Sequence, residues 1–319
     1  MKRRKILFQW VKIIISAGLI TFLIWKISPA KISHYIKDID PFLLTAALLV
    51  FLLSSFLGAV QWYILLKKSE LNLSFSRVLN LYFVGLFFNN FLPANVGGDA
   101  YKIFDVSRMG NDPYKVFAIT LLDRIFGIFG LCILALVSSL ILLPSGDIGN
   151  ISMYILLFAA IVGGILILML NRRLAKLLRN ILTRIKLWNI GERLDIIFNQ
   201  LGGLRDLKFL MTKIVLLTLS IQFLRIMTHV IVGRSIGMEM SIWIYLYFFV
   251  FVPLLGIIMI LPISINGLGV REGAGVLLFT SVGILAEQAL LVEFLTYAVM
   301  VTVSLSGGIL FLRRNIGSR

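Results

Sequence analysis

Cysteine is almost missing from this chain. The single one, Cys132, lies inside an apolar run, so the sequence offers no internal disulfide and no cysteine-based metal site. Histidine is nearly as scarce, and His34 and His229 stand too far apart to form a ligand cluster. Acids are few, 15 Asp and Glu against 31 Lys and Arg, for a net charge of +16. GxxxxGK[ST], HExxH, CxxC and a nucleophile elbow are all lacking. The first of these absences removes a P-loop that could hydrolyse ATP, and together they predict no metal and no cofactor. Gly/Ser linkers and low-complexity tracts are lacking too, which argues against a string of flexible domains.

What is abundant is apolar sequence. Of 319 residues 59% are hydrophobic, and the mean hydropathy is +0.98. A soluble domain of this length would expose far too much apolar surface. The chain therefore reads as an all-α polytopic membrane protein with about eight transmembrane helices, some re-entrant or broken, in two pseudo-repeated halves. The basic excess does not point to nucleic acid, because most Lys and Arg fall in short segments between apolar runs, as the positive-inside rule requires.

Spans are predicted at about 6–27, 41–66, 116–143, 151–170, 210–232, 242–262, 268–285 and 287–312. MKRRK before the first run resembles a signal peptide, but 6–27 is too long for one and no cleavage site is evident, so it reads as a retained span. The halves run from about 1 to 170 and from 210 to 319, within one membrane domain. Residues 171–209 hold nine basic residues against three acids. Their leucines and isoleucines recur at helical spacing, predicting a basic amphipathic connector on the cytoplasmic surface. The charge rule places both termini, 67–77, 99–115 and 171–209 inside the cell and the Lys/Arg-free loop 144–150 outside, in the plasma membrane.

Two stretches break the apolar pattern. In LFFNNFLPANVGGDAYKIFD the apolar run from Val78 to Leu92 would span only ~22 Å, against a hydrocarbon core of ~30 Å. Asn89, Asn90, Pro93, Asn95, Gly97, Gly98, Asp99 and Lys102 follow its start and stop it. The second stretch, ILPISINGLGVREGA, echoes the first: Leu–Pro, an Asn, paired glycines (Gly267, Gly269), then the charges Arg271 and Glu272. Polar, non-helical backbone at membrane depth persists only inside protein or beside water, and a matched pair of broken helices points to a transporter-type site. Arg271 behind the glycines suits a phosphate at a helix N-terminus, whereas Asp99 at the matching place reads as an N-cap.

Charges also occur inside uninterrupted runs, where each costs roughly 2.5–3.5 kcal/mol on insertion scales. Asp123 and Arg124 are adjacent, so they point ~100° apart and serve different partners. Thr218, Gln222, Arg225 and His229 form one polar stripe, and Glu293 lies inside the last span. Arg225 calls for a carboxylate partner, with Glu272, Asp123 and Glu293 as candidates. The competing reading of all these charges is pairs that only lock helices together.

NNFLPANVGGDAYKIFDVSRMG, ITLLDRIFGIFGL and LPISINGLGVREGA, in this order, resemble the membrane region of lysylphosphatidylglycerol synthases and its stand-alone relatives. The resemblance covers nearly the whole chain and implies movement of a modified lipid between leaflets. In bifunctional members a separate soluble domain transfers the amino acid. This sequence ends at Arg319 after its last span, so the expectation is a flippase-like protein without that domain. Its expected partner is a membrane phospholipid with an anionic or phosphate-bearing headgroup. Two other readings stay open: a membrane enzyme modifying a polyprenyl or glycerolipid through Asp99 and Asp123, and a non-catalytic partner acting through 171–209.

Overall fold

The computed structural model describes residues 34–91, 97–145, 149–170, 208–259 and 267–316, with residues 18, 21, 23 and 27. Pro93, Asn95, the connector 171–207 and most of the first predicted span lie outside the described residues. Among the described residues there is no strand. The helices are α1 (Pro41–Lys68), α2 (Phe75–Phe91), α3 (Gly97–Ser107), α4 (Pro113–Leu142), α5 (Gly149–Leu170), α6 (Lys208–Ser235), α7 (Ile242–Ile258), α8 (Val270–Thr280) and α9 (Ala286–Ile316). Helices α1, α4, α6 and α9 are long and apolar enough to cross a membrane.

Local sequence explains where helices begin. Asp40 caps α1 by accepting from the N–H groups of Phe42 and Leu43, with Pro41 at the first helical position. Asp112 and Pro113 repeat this device at α4. Proline lacks the N–H that would be orphaned there, and the carboxylate satisfies the ones that follow. Pro253 sits inside α7, a break in the backbone ladder that neighbouring helices tolerate in a membrane bundle.

Among the described residues, the apolar runs predicted from 41 onward form helices, except at their broken ends. The span expected to reach residue 262 stops at Ile258, and the one expected over 268–285 is the 11-residue helix α8. At ~1.5 Å per residue α8 is only ~16 Å long, too short to cross a ~30 Å core by itself. Its three N-terminal turn residues include Gly267 and Gly269 at positive φ, conformations that shorten the helix because only glycine holds them without strain.

Helix lengths repeat. The first set, α1 to α4, has 28, 17, 11 and 30 residues. The second, α6 to α9, has 28, 17, 11 and 31. The packing repeats too. Helix α2 lies on α9 as α7 lies on α4; α3 lies on α2 and α4 as α8 lies on α7 and α9; α1 lies on α9 as α6 lies on α4. The two first helices, α1 and α6, pack on each other at the centre. Helix α5 packs outside α4, while Leu23 and Ile27 of the first apolar run pack on Leu290 of α9.

Polarity is arranged for a lipid solvent. Phe42, Leu49, Leu140, Leu156, Leu216, Leu277 and Leu312 are exposed, whereas Gln61, Asp99, Lys102, Gln222, Arg271, Glu272 and Glu293 are buried. Aromatic and aliphatic packing fills the rest of each half, around Trp62, Leu81 and Leu122 in one and Phe248, Phe251 and Phe279 in the other.

Candidate functional site

The first polar cluster gathers at the start of α3. Asp99 is the third residue of that helix, yet it does not cap it. Its carboxylate is held by Lys102, 3.1 Å away, and by Arg124 of α4. The orphan N–H of Gly98 goes instead to the side-chain oxygen of Asn89 at 2.8 Å. The N-cap role predicted for Asp99 is therefore taken by the end of the preceding helix, which frees the acid to bind cations. This geometry needs glycine. A Cβ on Gly98 would run into the Gly85 carbonyl, and one on Gly85 would meet Lys102 Cε at 2.7 Å.

Lys102 is 6% exposed. Its ammonium lies over the rings of Tyr82 at 4.6 Å and Trp62 at 5.1 Å, so two π faces and one carboxylate replace its water. Asp123 turns the other way from Arg124, to the amide of Gln61 at 2.8 Å, and Gln61 in turn accepts from Thr218 at 2.8 Å. Gly130 and Gly127 leave room on α4 for Thr218 and Gln222 of α6. Asn90 at the end of α2 is buried, and Gly97 opens α3.

The second cluster gathers at the start of α8 and is drier. Arg271 and Glu272 pair at 2.6 Å, and the Arg271 Nε lies 3.2 Å from Glu293 of α9. All three are at most 3% exposed. Here the acid does cap the helix: Glu272 accepts from the Gly269 N–H at 2.6 Å. Arg271 is thus committed to two carboxylates and to the Glu293 carbonyl, and it stacks on Tyr297 at 4.9 Å. The phosphate site expected at this helix terminus is occupied by the protein's own acids. Gly275 is needed for the approach, since a Cβ there would meet Glu293 Cγ at 2.8 Å.

The stripe on α6 joins the clusters. Arg225 reaches to 3.5 Å of the hydroxyl of Tyr82, the ring that also faces Lys102, and Gly58 leaves space for that hydroxyl. Arg225 also acts electrostatically on Asp123. Its carbonyl lies 3.1 Å from His229 Nδ1, and His229 Nε2 lies 3.9 Å from Glu293. Of the three acids expected for Arg225, Asp123 is the one within its field; Glu293 answers Arg271 and His229 instead. A continuous run of polar groups therefore passes from Asp99 through Lys102, Tyr82, Arg225, His229 and Glu293 to Arg271 and Glu272.

Sequence reasoning did not single out Gln61, Trp62 or Tyr82. Gln61 carried a signal, being a lone amide deep in an apolar run. Trp62 and Tyr82 carried none, because aromatic residues in a span are as often lipid-facing or packing groups. Between α2 and α9 lies a cavity of about 290 Å³ lined by Arg77, Asn80, Leu81, Val84, Leu310 and Arg313. Arg77 links it to α3 through Asp105 at 3.0 Å. Among the described residues no three His, Cys, Asp or Glu side chains converge as a metal site would require.

A membrane protein of Pyrococcus horikoshii described as a UPF0104 membrane protein is 30% identical over 101 residues, covering 31% of this chain and 30% of its own length. The chain thus aligns with less than a third of that relative. The family model of the lysylphosphatidylglycerol synthase TM region matches residues 9–307, which include both glycine-broken stretches, the Asp123–Arg124 pair and the whole α6 stripe. This protein belongs to that family.

Proposed function

We propose that this protein moves a phospholipid or a lipid-linked headgroup across the plasma membrane, as a multi-pass protein with both termini in the cytoplasm. The observation that carries the reading is the polar run from Asp99 to Glu272, buried in a bundle whose outer face is apolar. Burying so many charged groups in a small bundle is costly, and a headgroup that must cross a hydrocarbon layer gives them a use. The acyl chains would stay in lipid while the headgroup follows the polar side chains between the two short helices. Short broken helices that meet a polar run at membrane depth favour transport over plain helix locking, which needs no interrupted backbone.

The first cluster favours an anionic headgroup. Lys102 and Arg124 there hold Asp99, and Arg225 acts on Asp123, so three cationic side chains gather in one place. The cavity adds Arg313, with Arg77 held by Asp105 beside it, over an apolar floor of Leu81, Val84 and Leu310, a composition that suits a phosphate above acyl chains.

The test is reconstitution into vesicles that carry a fluorescent phosphatidylglycerol in one leaflet, with its appearance in the other followed by dithionite quenching. The wild type is expected to accelerate that exchange well above protein-free vesicles. Arg124→Ala, in a protein that remains folded by size-exclusion chromatography, is expected to lose most of the acceleration. Equal rates for vesicles with and without protein, across phosphatidylglycerol, phosphatidylethanolamine and a polyprenyl phosphate, would reject the reading.

A further inference from the structure

Helices α2 and α9 touch and then part. A Cβ on Gly307 of α9 would run into the Phe83 carbonyl of α2, and one on Gly308 would meet the Phe87 ring at 2.8 Å. These two glycines let the helices approach closely. From that contact the cavity of about 290 Å³ extends toward the first residues of α2 and the last of α9. Val84, Leu81 and Leu310 are the lining residues nearest the contact in sequence, and Arg77 and Arg313 the farthest from it. The cavity is therefore apolar at one end and cationic at the other. Arg77 is the third residue of α2, and Arg313 ends the stretch of α9 that is long and apolar enough to cross a membrane. Such positions fall at the boundary between hydrocarbon and water, where phospholipid headgroups lie.

Packing does not account for the two arginines. Helix α7 lies on α4 as α2 lies on α9, yet the first turn of α7 and the last turn of α4 hold no charged residue. The charge rule draws basic residues to helix ends on one side of the membrane, but it does not require two of them to line one cavity. Their like charges repel, and no acid stands in the lining among the described residues. Asp105 of α3, which is not part of the lining, holds Arg77 through one Nη2 at 3.0 Å. The buried Nε of the same guanidinium makes no hydrogen bond. Arg313 is exposed, and Asn80 adds an amide to the lining. The polar part of the wall is thus rich in donors, two guanidiniums and an amide. Its complement is an anion with several acceptor oxygens, and a phosphate matches the paired N–H groups of arginine.

We propose that this cavity is a binding site for the phosphate of an anionic phospholipid, separate from the buried polar run, with Arg77, Arg313 and Asn80 as its donors. The inference rests on the headgroup reading above for its class of ligand, not for lipid movement. A cavity of about 290 Å³ stands at the lower bound of the ~300–1,000 Å³ usual for small-molecule pockets, which fits a headgroup phosphate with its glycerol and excludes whole acyl chains. The chains leave over the flank of α9, where Ile309 and Leu312 are exposed. The apolar end favours a lipid over a free phosphate ester, because a soluble anion leaves Val84, Leu81 and Leu310 uncovered. Through Asp105 the site is also tied to α3, the helix whose other end carries Asp99.

The experiment is protection from alkylation in the purified, detergent-solubilised protein. Cys132→Ala removes the buried native thiol, and Leu310→Cys places a new one in the cavity wall, with Val84→Cys as a second reporter. The rate of labelling by a water-soluble maleimide is read by mass. Short-chain phosphatidylglycerol at about ten times its half-protecting concentration is expected to slow labelling about tenfold, by mass action. Arg313→Gln, at an exposed position, is expected to raise the half-protecting concentration about tenfold, the loss of one charge-assisted hydrogen bond. Short-chain phosphatidylcholine, which has no net charge, and glycerol 3-phosphate, which has no acyl chain, are each expected to protect severalfold more weakly. Equal protection by phosphatidylcholine, or unchanged protection in Arg313→Gln, overturns the anion site. Equal protection by glycerol 3-phosphate overturns a lipid as its ligand, and no protection by phosphatidylglycerol at either reporter overturns the proposal outright. Arg124→Ala in the same background, expected to lose lipid exchange, should be protected as well as its parent. Protection in a protein that exchanges no lipid overturns lipid movement and leaves this site standing, and exchange without protection does the reverse.

Discussion

The two short helices α3 and α8 have the same length, the same glycine-rich approach and the same neighbours in their half, yet they use their acids in opposite ways. At α3 the acid Asp99 reaches out to cations on its own helix and on α4, and the helix terminus is satisfied by Asn89 of the helix before it. At α8 the acid Glu272 turns back onto the Gly269 N–H and grips Arg271 beside it. Arg124 keeps 39% of its side chain exposed, whereas Arg271 keeps 3%. One half thus presents a cation that a ligand can reach; the other seals its charges in.

The largest effect that would break the comparison comes from Arg271→Leu. It leaves Glu272 and Glu293 buried without a counter-charge and should destabilise the protein by about 3–5 kcal/mol. Arg124→Leu should cost only about 1 kcal/mol, because Lys102 still answers Asp99 and Arg124 is partly in solvent. Thermal unfolding of the two variants in detergent checks this, and equal losses would mean that the clusters do not differ as described.

Backbone substitutions come next. Gly98→Ala pushes a Cβ into the Gly85 carbonyl, a contact between two backbones that cannot rotate away, and should cost about 1–3 kcal/mol. Gly269→Ala must hold φ +82°, which should cost about 1–2 kcal/mol. Unfolding temperatures of the pair, with a Gly237→Ala control at φ +78° away from both clusters, separate steric clash from conformational strain.

A smaller effect tests the link between α1, α4 and α6. In a double-mutant cycle, Gln61→Leu and Thr218→Val should show a coupling of about 0.5–1.5 kcal/mol, since each is the other's hydrogen-bond partner. Smallest in stability is Arg225→Gln. Its Nε makes no hydrogen bond, so unfolding should shift by less than about 1 kcal/mol while lipid exchange in vesicles falls sharply. A large loss of stability with exchange intact would make Arg225 a lock and not a connection.

Much of this was legible before any fold was known. Asp123 and Arg124 serve different partners, Gln61 and Asp99, because neighbours on a helix diverge by ~100°. The polar stripe on α6 was visible as a spacing, and it is the stripe that carries Thr218, Arg225 and His229 to three different contacts. Less legible was who pairs with whom. Arg271 looked open to phosphate by its position behind two glycines, but Glu293, 22 residues on, closes over it. Asp99 reads as a cap from its position, but Asn89 takes the Gly98 N–H instead.

The sequence by itself determined the solvent and the elements. Apolar runs of membrane length, a few polar residues set within them, and proline and glycine where backbone must turn are local properties, and local sterics and hydration settle them. Tertiary structure decided the rest. Lys102 is held by the rings of Tyr82 and Trp62, and the excess acid of one half faces the histidine of the central helix. Such pairings depend on which helix faces overlap, and that is fixed by packing among residues far apart in the chain, where the low dielectric of the bundle makes each unmatched charge expensive enough to choose its partner.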